Sequence, residues 1–407
     1  MASVTPLAYH ADVVERLSRL EPASWAAFAE AVAVTPVGDV APVHAELLRR
    51  AYRLDPAGHP VVAAAVSRAS AALGVDVPVT VYQLEGEPIA NASLIDLQDE
   101  AVVVLAGNLV ELLDEPELTA VLGHELTHQL LWRLDGGRYL IADRLLDALA
   151  LDARTPAVYL ETARRWRLAT ELLADRGALR ACADLRVCIS ALLKTATGLA
   201  RVDPDSYLAQ AAEADPLRGA QGRTHPETVL RAWALARAVG GVALDGPPDP
   251  ERAETVVLCP GLDIDRLDLA DRAALEALTR RLIAHVLETP WMCTDAVLAH
   301  ARRFFPDLSP PWPRPASGPT EPGAGGPVWT EPVEPTGDLA EETRRYLGYV
   351  LLDFATVDPD LEDEALRAVL GTARLFGLDG AFEKIARLER VVTVAALDAL
   401  FAPTVIS

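Results

Sequence analysis

Lysine is almost missing from this chain of 407 residues; only Lys194 and Lys384 occur, and every other strongly basic residue is arginine. That bias reads as the imprint of a GC-rich bacterial genome rather than as a physical demand. Basic charge as a whole is scarce: 37 Lys and Arg face 59 Asp and Glu, giving a net charge of −22 and a pI near 4.8. A surface that acidic repels phosphate backbones and anionic bilayers, which argues against nucleic-acid and membrane partners. Long apolar runs are also lacking. Ala232 to Leu244, among the most apolar stretches, is too short for a membrane span and carries Arg237. Met1 to Trp25 has no basic start followed by an apolar run. No secretory signal is therefore expected, and the chain reads as cytoplasmic and soluble. Cysteine is sparse: Cys182, Cys188, Cys259 and Cys293 lack the paired spacing of a structural zinc site. Without a secretory signal they are expected to be buried, reduced thiols.

What is present points to a globular, mostly helical protein. Hydrophobic residues make up 51% of the chain, enough for a sizeable core, and the length suits two or three domains. Apolar positions recur at helical spacing in Ala11 to Val34 and Val61 to Leu73. Val77 to Tyr82, Ile89 to Leu97 and Ala101 to Leu105 are short, rich in β-branched residues and broken by turn formers, so they predict three strands. The helical period then returns from Glu115 to Phe305. Residues 306–337 are rich in proline and glycine and read as a semi-extended linker. Beyond it, Leu339 to Phe401 suits a small bundle of three or four helices. The expected class is mainly α with a small β-sheet (α+β). The expected organisation is a domain over 1–305 with its motifs at about 60–240, the linker 306–337, and a helical domain over 338–407.

The informative segment is Leu122-Gly-His-Glu-Leu-Thr-His-Gln-Leu-Leu-Trp132. His124 and His128 are four apart, so on a helix both project from one face and can hold a single metal ion. Glu125 lies one residue round from the first imidazole, where it can reach a metal-bound water as general base. There are two candidates for a third ligand, Glu161 and Glu171. Glu171 belongs to Glu171-Leu-Leu-Ala-Asp175, whose carboxylates share a helical face among apolar neighbours. One can bind metal while Asp175 orients a ligand imidazole from behind. Glu161 has Arg165 at the equivalent place, a surface-helix pattern, so Glu171 is the favoured ligand.

Taken together, HExxH, the later ExxAD, and Arg223-Thr-His-Pro226 with Arg231 beyond resemble peptidase family M48, which includes the CAAX prenyl proteases and the HtpX-like heat-shock proteases. The lead-in of Ile89-Ala-Asn-Ala92, Val102 to Gly107 and Glu115 to Gly123 fits the same resemblance. It implies a gluzincin-like zinc endopeptidase with one Zn2+ per chain on His124, His128 and Glu171, Glu125 as base, and a peptide or protein as substrate. It further implies that His225 acts in the active site on substrate or the tetrahedral intermediate, with Arg231 beside it as a supporting charge. Substrate in such sites lies extended along an edge strand, and Asn91, Ala92 and Ser93 begin the candidate strand. Two departures stand out: Thr127 replaces the small glycine usual before the second histidine, and the membrane helices of the best-known members are missing.

A reading of another class is a zinc-bound, catalytically silent scaffold; the presence of Glu125 argues against it. Asp358 to Glu364 fails as a calcium loop, because Asp363 and Val369 stand where an EF-hand needs Gly and Glu. Tyr346 to Leu388 faintly resembles TerB-like helical domains. A role for this C-terminal module would be to bind a protein partner or regulate the protease.

Overall fold

The computed structural model describes residues 4–34, 40–97, 99–214, 219–222, 225–240, 249–258, 261–308 and 339–390. The chain divides into two compact units, Met1–Pro260 and Gly261–Ser407. The first unit opens with α1 (Ala8–Leu20), α2 (Pro22–Val34), α3 (Val40–Arg50) and α4 (Pro60–Leu73) and holds a sheet of β1 (Ala51–Arg53), β2 (Val79–Leu84), β3 (Asn91–Asp96) and β4 (Ala101–Ala106). The order is β1-β2-β4-β3; β2 and β4 are parallel, and the other two pairs are antiparallel. The three expected strands are present. β1 was not expected, because three residues at a helix end leave no readable alternation.

β4 sits inside the sheet, and its Val-rich sequence reflects burial on both faces. Ala101, Val103 and Leu105 pack towards the core of α4 and α6 (Glu115–Arg133), whereas Val102 and Val104 join Leu47 and Tyr82 on the other face. β3 is paired on one side only among the described residues. After α5 (Leu109–Leu112), α6 begins in a capping box: Asp114 accepts the Glu117 N–H at 3.0 Å, and Glu117 accepts the Asp114 N–H at 3.0 Å. α7 (Arg138–Leu151) returns the chain to α8 (Ala157–Cys182), which crosses α6 at close range.

That closeness depends on two glycines. A Cβ on Gly123 would strike Ala181, and one on Gly177 would strike the side chain of Thr127. Thr127, where the family pattern has glycine, fits because Gly177 has no side chain there, and its hydroxyl donates to the Gly123 carbonyl at 2.7 Å. α9 (Leu185–Thr197), α10 (Pro204–Ala212), α11 (Thr228–Val239) and α12 (Pro250–Leu258) complete the unit. Lys194 of α9 donates to Glu117 of α6 at 2.7 Å and Ser190 to the same carboxylate at 2.5 Å, pinning the two helices.

The second unit holds α13 (Leu269–Leu287), α14 (Asp295–Phe304), α15 (Glu341–Thr356), α16 (Glu362–Leu375) and α17 (Asp379–Leu388) around one core. Leu282, Ile283, Val286 and Val297 share that core with Leu347, Leu351, Phe354 and Phe382. The compact units part at Pro260 and Gly261, whereas the expectation placed domain limits at 305 and 338. The apolar stripes of α13 and α14 are needed to bury those of α15 to α17, so the two helices ahead of the proline-rich stretch belong with the three beyond it. The expected linker falls outside the described residues except for 306–308, as does the chain after 390. Among the described residues no helix is long and apolar enough to cross a membrane.

Candidate metal centre

α6 and α8 bring the motif residues together. His124, His128 and Glu171 each offer a ligand atom, and these atoms lie within 4.8 Å of one another. His124 Nε2 is 3.5 Å from Glu171 Oε2, and His128 Nε2 is 3.7 Å from Glu171 Oε1. The donors suit a divalent ion of zinc's chemistry: two imidazoles and a carboxylate, largely buried and converging on one point. Glu161 does not take part. It holds Arg164 at 2.6 Å and Arg165 at 2.9 Å instead.

Behind the donors stands Asp175, one helical turn after Glu171. It accepts from His124 Nδ1 at 3.1 Å, and from Arg231 through Nε at 2.7 Å and Nη2 at 2.5 Å. The Nδ1 contact turns the other nitrogen of the His124 ring towards Glu171 and His128. Arg231, on α11, is only slightly exposed and also lies 3.9 Å from Glu171. His225 lies 3.9 Å from Glu171, with 58% of its side chain exposed at the cavity mouth. Arg223 and Thr224 fall outside the described residues.

Electrostatics set these groups apart. Burial opposes a proton on His124, but Asp175 and Glu171 outweigh it and raise the pKa to about 10. Burial, aided by the His124 charge, pushes His128 down to about 4. For Glu171 burial is overcome by His124, His128 and Arg231, which hold its carboxyl well below the usual range. Burial raises Glu125 to about 7, next to the working range of a general base.

The site lines a cavity of about 630 Å³. Asn91, Ala92 and Ser93 of β3 form one wall, and Ala191, Leu192 and Thr195 of α9 form another. The α9 wall was not foreseen. Its signal, apolar and small residues three and four apart, is shared by every amphipathic helix.

Residues 56–134 match the sequence profile of peptidase family M48. The chain is 35% identical over 169 residues to the plastoglobule-localized metallopeptidase 48 (chloroplastic) of Arabidopsis thaliana, an alignment covering 36% of this chain and 47% of that protein. The chain thus spans about half the length of that curated relative. No solved structure matches it. The M48 profile ends just after the HExxH helix, so α8 and α11, which bring Glu171, Asp175 and Arg231, lie beyond the matched segment.

Proposed function

We propose that this chain is a zinc-dependent endopeptidase that hydrolyses peptide bonds in an extended peptide or unfolded protein. The observation that carries the reading is the convergence of His124, His128 and Glu171 beside Glu125, in a cavity bordered by an edge strand. Zinc held by the three donors would supply Lewis-acid polarisation of a water molecule and of the scissile carbonyl. The chain's own residues do the rest. Glu125 accepts the proton of the attacking water and returns it to the leaving amine. Asp175, itself held by Arg231, keeps the His124 ring turned towards the ligand point. His225 stands at the mouth, placed to donate to charge that develops on the substrate oxygen. The edge of β3 left unpaired among the described residues offers backbone N–H and C=O groups from Asn91 onwards to an incoming strand.

The test measures zinc content and casein cleavage in the wild type and in Glu125→Gln. Stoichiometric zinc in both is expected, with cleavage by the variant reduced about 10²–10⁴-fold. Zinc without cleavage in either protein would favour a silent scaffold. Absence of zinc from both would sink the proposal.

A further inference from the structure

Two thiols meet where α8 turns into α9. Cys182 is the last residue of α8, and Cys188 lies in the first turns of α9. Between them Ala183 takes a left-handed conformation, φ 59°, which L side chains seldom adopt. Asp184 then caps α9, accepting the N–H of Arg186 at 2.8 Å and of Val187 at 3.4 Å. This tight corner leaves the two Sγ atoms 3.2 Å apart. A disulfide asks for about 2.05 Å, so an approach of roughly 1 Å would complete the bond.

The two sulfurs are not equivalent. Cys188 is buried and lines the cavity, whereas Cys182 is half-buried beside the exposed Ala183 and Asp184. The contact between the two sulfurs favours the Cys182 thiolate and lowers its pKa, while the buried Cys188 thiol is pushed up and keeps its proton. Cys182 thus has the character of an attacking thiol, and Cys188 that of a resolving one. The proposed peptidase chemistry uses neither.

We propose that Cys182 and Cys188 form a reversible dithiol–disulfide site whose oxidant is a hydroperoxide. The Cys182 thiolate attacks one peroxide oxygen, the O–O bond breaks, and a sulfenic acid forms as hydroxide leaves and takes up a proton. Cys188 sulfur attacks the sulfenic sulfur, its proton departs with the hydroxyl as water, and the S–S bond closes. With hydrogen peroxide, two thiols are oxidised and one peroxide is reduced to two waters; a dithiol reductant reverses the change. The bond ties α9, which carries the Ala191, Leu192 and Thr195 wall, to α8, which carries Glu171. Oxidation therefore constrains the cavity, a consequence that rests on the peptidase reading; the thiol chemistry does not.

The reduced full chain is treated with hydrogen peroxide, remaining thiols are alkylated, and the digest is mapped by mass spectrometry. The expected product joins Cys182 to Cys188 within one chain, lighter by two hydrogens and restored by dithiothreitol, while Cys293 stays alkylatable. In Cys188→Ser the Cys182 sulfenic acid should persist and be trapped by dimedone. In Cys182→Ser, altered at the half-buried position, Cys188 should remain reduced. Alkylation of Cys182 and Cys188 at the level of Cys293, or a linkage only between chains, would overturn the site. Casein cleavage by reduced and oxidised protein is read separately, so a failed peptidase reading leaves the thiol result intact.

Discussion

Asp175 is buried and serves two partners at once, the His124 ring and the Arg231 fork, both only slightly exposed. Removing its charge while keeping its shape should loosen the imidazole without opening a void. We expect Asp175→Asn to weaken zinc affinity by about 10–100-fold, read by competition with a chromogenic chelator; unchanged affinity would deny Asp175 its orienting role. Asp175→Ala should fare worse, since it also strands the Arg231 charge, at about 3–5 kcal/mol of stability. A second residue acts away from the cavity. His10 is fully buried, accepts the Leu7 N–H at Nδ1, and sets Nε2 3.2 Å from Thr170 Oγ1, next to Glu171. Thr170 gives its own hydroxyl proton to the Trp166 carbonyl, so the ring is a neutral tautomer protonated at Nε2. Burial lowers its pKa from 6.5 to about 3. The folded state thus binds fewer protons than the unfolded chain between those values, and stability present above pH 6.5 is lost as pH falls towards 3. Between pH 7 and pH 5 the loss from this ring should be about 2 kcal/mol, and His10→Gln should remove it from urea-unfolding data. An equal pH dependence in the variant would show that other groups carry it.

At the scale of the element, the decisive packing is the α6–α8 crossing. Thr127 and Gly177 occupy one space, so Gly177→Ala should cost about 1–3 kcal/mol although alanine is the better helix former. Adding Thr127→Gly should relieve the clash and leave a coupling of about 0.5–3 kcal/mol in a double-mutant cycle. Strict additivity in urea unfolding would mean that the helices simply part. The sequence exposes half of this arrangement. HExxH and ExxAD are legible because helical spacing alone puts each pair of side chains on one face. The complementarity of Thr127 and Gly177 is not, because it depends on where two helices cross. The Cys182–Cys188 approach is hidden for a similar reason: it turns on one alanine in an unusual backbone state. Buried, reduced thiols were expected; the structure instead leaves Cys182 and Cys293 half-buried.

For the whole molecule, the mostly helical class with one small sheet was readable from periodicity. The boundary at Pro260 and Gly261 was not, because a proline-rich stretch draws the eye while the partner of an apolar stripe leaves no mark in sequence. All candidate ligands come from the first unit, and the second has its own core. Chelation of the metal should therefore speed amide hydrogen exchange in α6 and α8 and leave α15 to α17 unchanged, since binding stabilises only what it touches when folded. Equal acceleration in both units would show that the metal holds up the whole chain. The single-sided pairing of β3 has a further consequence under the proposed activity. A cleft that engages a main chain through an open edge selects for the state of its substrate more than for its spelling. A folded protein offers a free strand only in its transiently open fraction, so cleavage rates across a set of destabilised variants of one substrate should rank by their unfolding equilibria.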